Sequence, residues 1–257
     1  MKVVILAGGR GTRMRVGTGD FDQPKVLFEV GSRPLIWHLM KLFRVQGFDD
    51  FVLCLGHKAA LVRQSILDSA VAAGGTAQRV DGLPAVSVFD PLERWRALLL
   101  DTGADTNTGG RVRQALPIVG DSTFMVTYGD GLADIDLTGL LRFHRRHGRV
   151  ATLTAVRPRS QFGLLSIGDD GGVKRFREKP RLRSWVNGGF FVFEPSLSRH
   201  LCEDSVLEID AFHQLAQQGE LMAYRHDGFW HCIDTYKDLA SLNDIWSSGS
   251  APWRHWD

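Results

Sequence analysis

Nine residues near the start of the chain, Leu6-Ala7-Gly8-Gly9-Arg10-Gly11-Thr12-Arg13-Met14, carry its densest chemical information. They follow a short apolar run, and three glycines just after a strand let backbone N–H groups close around an anion as a concave nest. This is not a phosphate loop of the Walker type, since no Gly-Lys-Ser/Thr follows. It is also a poor dinucleotide fingerprint, because Met14 stands at the third glycine position. A tight turn that simply needs glycines accounts for Gly8, Gly9 and Gly11 about as well. Two carboxylates stand out further along. Asp130 lies between Gly129 and Gly131 after the apolar run Phe124 to Val126, at a strand end of the kind where open α/β sheets bind ligands. Asp234 follows Trp230 and precedes a helical pattern. Carboxylates from separate strand ends can hold one Mg²⁺, a cation that keeps several waters and takes phosphate as its other partner. A turn aspartate and a helix N-cap are the plainer readings of the same two residues.

These residues need elements to position them. Lys2 to Leu6, Phe51 to Leu55, Thr123 to Thr127 and Ala151 to Val156 read as short buried strands. Pro34 suits a helix start, and Leu35, Ile36, Leu39, Met40, Leu42 and Phe43 recur at helical spacing. Ala59 to Ala73 and Tyr236 to Trp246 also read as helices, and Asp136 caps another that ends near Gly148. Shorter apolar runs follow at Leu164 to Ile167, Val173 to Phe176, Phe190 to Phe193 and Met222 to His226. Strands alternating with helices predict an α/β domain with a mainly parallel, mixed central sheet covered on both faces. No repeat, low-complexity tract or linker divides the 257 residues, so one domain is expected.

Leu6 to Met14, followed by Pro24-Lys25 and Gly31-Ser32-Arg33-Pro34, resembles the opening signature of the sugar-nucleotide pyrophosphorylases. Asp101-Thr102-Gly103, Thr108-Gly109-Gly110-Arg111, Tyr128-Gly129-Asp130-Gly131, Phe176 to Pro180, Asn187 to Phe191, Gly228-Phe229-Trp230, Asp234-Thr235 and Ala251-Pro252-Trp253 then look like motifs of the glucose-1-phosphate cytidylyltransferase branch, in the same order. The resemblance implies a nucleotidyltransferase fold with a small β portion for the sugar. It divides the chain into a nucleotide half (about 1–130), a sugar-phosphate half (about 131–240) and a C-terminal helix and tail (236–257). The implied reaction joins CTP to α-D-glucose 1-phosphate, with Mg²⁺ held by Asp130 and Asp234. Arg13 and Lys25 would meet the pyrophosphate and the α-phosphate, and with Asp130 form the catalytic set. Leu6, Ala7, Gly8, Gly9, Arg10, Gly11, Thr12, Gln23, Thr108, Gly110, Arg111 and Gly129 would complete the nucleotide site. Tyr128, Glu178, Lys179, Asn187 and Gly188 would serve the sugar phosphate. Relatives usually carry a second lysine where this chain has Gln23, and Val16 to Asp22 has no clear likeness to them.

Composition narrows the alternatives. With 44% hydrophobic and 23% charged residues the chain is globular, and a net charge of +2 without a long basic block argues against nucleic-acid binding. Arg142, Arg145 and Arg146 read as a solvated helix face. No run approaches the roughly 18 apolar residues of a membrane span, and no signal-peptide pattern opens the sequence. Three cysteines without metal-ligand spacing, with Cys54 inside an apolar run, fit a reduced cytoplasmic protein. The resemblance adds a homo-oligomer, a hexamer or a dimer, and Trp246, Trp253 and Trp256 suggest a tail that docks on the body or on a partner. The same reaction with UTP or dTTP, a catalytically silent sensor of nucleotide sugars, and a dinucleotide oxidoreductase are the competing readings.

Overall fold

A computed structural model describes residues 1–11 and 23–256. The strands are β1 (Lys2–Leu6), β2 (Glu29–Val30), β3 (Arg33–Pro34), β4 (Asp50–Leu55), β5 (Thr76–Arg79), β6 (Ala85–Asp90), β7 (Trp95–Asp101), β8 (Phe124–Tyr128), β9 (Gly131–Ala133), β10 (Ala151–Val156), β11 (Leu164–Ile167), β12 (Val173–Arg177), β13 (Val186–Phe193), β14 (Leu221–His226) and β15 (Trp230–Cys232). The α-helices are α1 (Leu35–Arg44), α2 (Ala59–Ala72), α3 (Thr108–Val119), α4 (Leu137–His147), α5 (Phe212–Gln217) and α6 (Tyr236–Ser247).

Nine strands form one mixed sheet in the order β14-β10-β13-β8-β1-β4-β7-β6-β5. Its centre, β8-β1-β4-β7, is parallel, and antiparallel pairs extend it on both sides. The parallel strands expected from sequence therefore hold in the middle, and again at one edge, where β14 pairs parallel with β10. Period-two alternation divides the core. Val3 and Ile5 face a layer with α1, α2 and α4, whereas Val4 and Leu6 face one with α3 and α5. Cys54 is fully buried in the second layer, and burial pushes its thiol up to about 12, so it is inert packing. The exposed Arg142, Arg145 and Arg146 lie on the solvent side of α4. Asp136 caps that helix through the Gly139 N–H at 2.7 Å, and Gly148 ends it in the left-handed region.

Sequence periodicity missed β5 to β7 and α3. All of β5 is exposed, so it has no buried face to signal it. The start Thr108-Gly109-Gly110 and the internal Pro117 both work against the helix propensity of α3. Elsewhere the C-terminal tail docks on the body. Trp253 is fully buried among Phe28, Val30, Leu132, Ile233 and Leu242. Among the described residues no helix is long and apolar enough to cross a membrane.

His38 ties α1 to this C-terminal cluster. Its Nε2–H donates to the Val30 carbonyl at 2.8 Å, and its ring meets Trp246 edge-on. Burial pulls its pKa down to about 4; the Val30 bond opposes this and the Arg33 charge adds to it. The folded value lies below the unfolded value of about 6.5, so this contribution to stability is full above pH 6.5 and is lost as pH falls toward 4. The difference is worth roughly 3 kcal/mol. Urea unfolding of wild type should therefore show a steep loss of stability from pH 6.5 to 4, and His38→Gln should flatten it. Equal slopes for the two proteins would remove His38 from the account.

Candidate active site

The parallel strand ends open into a cleft of about 630 Å³. One wall is the glycine loop after β1. It stays close to the sheet because the Ala7 N–H donates to the Cys54 carbonyl at 3.0 Å and the Gly129 N–H to the Leu6 carbonyl at 3.1 Å. Arg111, on the first turn of α3, braces the loop from beneath. Its Nη1 donates to the Leu55 carbonyl at 3.0 Å, the Thr102 hydroxyl at 2.6 Å and the Gly103 carbonyl at 2.9 Å. Its Nη2 donates to the Gly8 carbonyl at 3.1 Å. A Cβ on Gly8 would lie 2.3 Å from Nη1, so only glycine permits this approach. Burial lowers the Arg111 pKa, but a guanidinium remains charged. Arg111 thus acts as a buried strut that fixes the loop and sets a positive charge behind it; most of its hydrogens are spent on the protein. Arg10 pairs with Asp105 across the mouth of the cleft.

The floor is built by a short antiparallel pair. β9 and β15 align Gly131 with Cys232, and the Ile233 N–H donates to the Asp130 carbonyl at 2.9 Å. This register brings Asp130 and Asp234 together from positions far apart in sequence. Lys25, on the 3₁₀ turn Lys25–Leu27, reaches between them, its Nζ 3.4 Å from Asp130 Oδ2 and 3.0 Å from Asp234 Oδ1. Burial works against the Lys25 charge, but the two carboxylates outweigh it and its pKa is raised. Burial also raises the Asp130 pKa, Lys25 opposes this, and Asp234 adds to it. The helix N-cap reading of Asp234 is corrected, for Thr235 caps α6 in a box with Asp238. One ligand atom each from Asp130, Cys232 and Asp234 lie within 4.8 Å of one another. Burial, and then the neighbouring carboxylates, push the Cys232 thiol up, leaving the two carboxylates as the charged donors. Oxygen donors of this kind suit a hard divalent cation.

The remaining wall is polar and neutral. Asn187 Nδ2 donates to the Tyr128 hydroxyl at 3.2 Å, and Asn187 Oδ1 accepts from the Gly189 N–H at 2.9 Å. Trp230 Nε1 donates to the Gly188 carbonyl at 2.7 Å and holds that backbone in place. Burial, followed by the nearby Glu208 carboxylate, holds the Tyr128 phenol above its ordinary pKa, so it serves as a donor.

Of the residues singled out from sequence, Leu6, Ala7, Gly8, Gly9, Arg10, Gly11, Lys25, Thr108, Arg111, Tyr128, Gly129, Asp130, Asn187, Gly188 and Asp234 line this one cleft. Four others do not line it. Gln23 turns its amide onto the Leu27 carbonyl at 2.8 Å. Gly110, on the first turn of α3, packs against the Glu203–Ser205 segment, where a Cβ would lie 2.2 Å from the Glu203 carbonyl oxygen. Glu178 and Lys179 follow the β11–β12 hairpin as an exposed pair, 3.6 Å apart. Thr12, Arg13 and the segment Val16 to Asp22 lie outside the described residues. Sequence reasoning did not single out Cys232 or Trp230 as site residues, although both sit on the strand that delivers Asp234.

The arrangement suits two bound anions: a glycine loop over a buried cation at one end, polar neutral groups at the other, and carboxylates with an ammonium between. A family model described as Nucleotidyl transferase matches residues 2–248. The chain is 40% identical to the probable glucose-1-phosphate cytidylyltransferase of Bacillus subtilis and 39% identical to the glucose-1-phosphate cytidylyltransferase of Salmonella typhi, in each case over all of both chains. Its fold matches the crystal structure of HddC from Yersinia pseudotuberculosis with a TM-score of 0.70 at 20% identity, covering 95% of this chain and 99% of that one. The chain therefore belongs to the nucleotidyl transferase family and, within it, groups with the glucose-1-phosphate cytidylyltransferases.

Proposed function

We propose that the protein transfers a cytidylyl group from CTP to α-D-glucose 1-phosphate, giving CDP-glucose and pyrophosphate. The observation that carries this reading is the meeting in one cleft of the glycine loop, the Lys25–Asp130–Asp234 cluster and the Tyr128–Asn187 wall. Full-length identity near 40% to named cytidylyltransferases supports the choice of nucleotide and sugar.

A sugar phosphate is already largely a dianion near neutral pH, since its second pKa lies near roughly 6. It needs no general base to attack the α-phosphorus of the nucleotide. What the protein must supply is alignment of two anions and neutralisation of charge on the α-phosphoryl oxygens. In this reading the N–H groups of Gly8, Gly9 and Gly11 grip the triphosphate, with the Arg111 charge behind them. Arg13 is assigned to the departing pyrophosphate and Lys25 to the α-phosphoryl group. Tyr128, Asn187 and the Gly188 backbone orient the sugar phosphate; Glu178 and Lys179 belong to the same assignment through the resemblance alone. One ammonium against two carboxylates leaves the floor negative, which fits a divalent cation held by Asp130 and Asp234. Such an ion, when bound, neutralises phosphoryl charge. A cytoplasmic homo-oligomer, a hexamer or a dimer, completes the proposal on the strength of the resemblance.

Pyrophosphate release from α-D-glucose 1-phosphate with each of CTP, UTP, dTTP, ATP and GTP tests the reaction. CTP should give the highest kcat/KM, and a higher value with any other nucleotide would overturn the cytidylyl assignment. Asp130→Asn and Asp234→Asn should each lower kcat/KM by about 10²-fold or more; wild-type rates in either would remove that residue from the site. Gly8→Ala must displace the Arg111 guanidinium, so KM for the nucleotide should rise about tenfold with little change in KM for the sugar phosphate. A rise confined to the sugar phosphate would place the glycine loop at the wrong substrate.

A further inference from the structure

One carboxylate behind the cleft has no part in the chemistry described above. Glu208 lies on a π-helix, Leu207–Ala211, that runs directly into α5. Its Oε1 accepts from the Tyr128 hydroxyl, and its Oε2 accepts from the Thr108 hydroxyl at 2.8 Å. Tyr128 ends the central strand β8, whereas Thr108 opens α3. Both line the cleft; Glu208 stands behind them and does not.

The local sequence brings Glu208 to this point. The segment before the π-helix lies against the first turn of α3, where the Gly110 N–H donates to the Ser205 carbonyl at 3.1 Å. A Cβ on Gly109 would lie 2.6 Å from the Ser205 hydroxyl oxygen, so the contact depends on the glycine pair. The Leu207 N–H donates to the Thr108 hydroxyl at 2.9 Å, and Asp210 accepts from the Val206 N–H at 2.6 Å. The N-terminal end of the π turn is thereby held by two side chains. π turns within helices are rare and concentrate at functional sites.

Among the described residues the Glu208 carboxylate has two hydroxyl donors and no ion pair. Hydrogen bonds to a charged acceptor are shorter and stronger than neutral ones, so both hydroxyls are directed at Glu208. This settles the direction of the next bond. With its hydrogen committed, the Tyr128 oxygen accepts from Asn187 Nδ2, and Asn187 Oδ1 accepts from Gly189. Asn187 is left with a single orientation and one spare amide hydrogen.

We propose that Glu208 is a positioning residue: by holding Tyr128 and Thr108 at once, it fixes the orientation of Asn187 and so the shape of the sugar-phosphate end of the cleft. The inference rests on the assignment of Tyr128 and Asn187 to the sugar phosphate. Steady-state kinetics of Glu208→Ala, Glu208→Gln, Tyr128→Phe and the double variant Glu208→Ala/Tyr128→Phe test it. Glu208→Ala should raise KM for α-D-glucose 1-phosphate about tenfold. Because it also frees Thr108, which belongs to the nucleotide site, KM for CTP should rise by a smaller factor, less than about threefold, with kcat changed as little. Glu208→Gln keeps an acceptor for Tyr128 and should recover most of the loss. The effects in the double variant should fall well short of multiplicative, since the two substitutions share the Tyr128–Glu208 hydrogen bond. Unchanged KM for the sugar phosphate in Glu208→Ala, an equal rise for both substrates, or multiplicative effects in the double variant would each overturn the proposal. If Tyr128→Phe leaves KM for the sugar phosphate unchanged, the sugar assignment of Tyr128 falls, and the role of Glu208 with it. If Tyr128→Phe raises it and Glu208→Ala does not, the assignment stands and Glu208 alone is wrong.

Discussion

A guanidinium buried under the glycine loop keeps the nucleotide end of the molecule in shape. Arg111 gathers oxygens from the ends of β1, β4 and β7, three neighbouring parallel strands. None of those hydrogen-bond partners is a carboxylate, and the nearby Asp101 and Asp105 favour the charged form from a distance. Taking a charge out of water is costly unless its hydrogens are used, and here one side chain links three loops through their carbonyl oxygens, of which Gly8 and Leu55 also accept the His57 and Thr102 N–H groups. The geometry also explains why residues without side chains surround it. Gly8 and Gly56 both approach Arg111 closer than any Cβ allows.

The second organising contact is electrostatic and lies across the cleft. Asp130 leaves the sheet directly after β8, while Asp234 arrives on β15, a strand outside the main sheet. Lys25 comes from a third place, a turn between the glycine loop and α1. The Lys25 segment pairs with neither of the other two and is tied to them through charge, while the β9–β15 register sets the distance between the carboxylates. The sheet supplies rigidity, and the small pair beside it supplies convergence.

Much of this was legible in the sequence because the cues are local. A glycine cluster after a buried strand, and a carboxylate between glycines at a strand end, each mark their place without reference to the rest of the fold. The direction in which a side chain is used is not local. Arg111 reads as a cation for a ligand, and only the packing of β4 and β7 against α3 shows its hydrogens turned onto backbone. Glu208 gave no signal at all, since its partners lie 80 and 100 positions away and a π turn has no periodicity of its own. The exposed strand β5 and the glycine-led, proline-bearing α3 escaped because burial and propensity, the two quantities a periodicity reading uses, point the other way there.

The docked tail has a consequence for how the labour is divided along the chain. Every strand of the nine-stranded sheet precedes residue 227, whereas Asp234, α6 and Trp253 all come after it. The sheet and its two helical layers are therefore encoded apart from the second carboxylate. The stretch before residue 227 carries the glycine loop, the strut and the lysine, but no partner for Asp130 across the floor and no tryptophan to fill the gap beside Leu132. The scaffold is written first in the chain, and the residues after 227 complete both its floor and its packing.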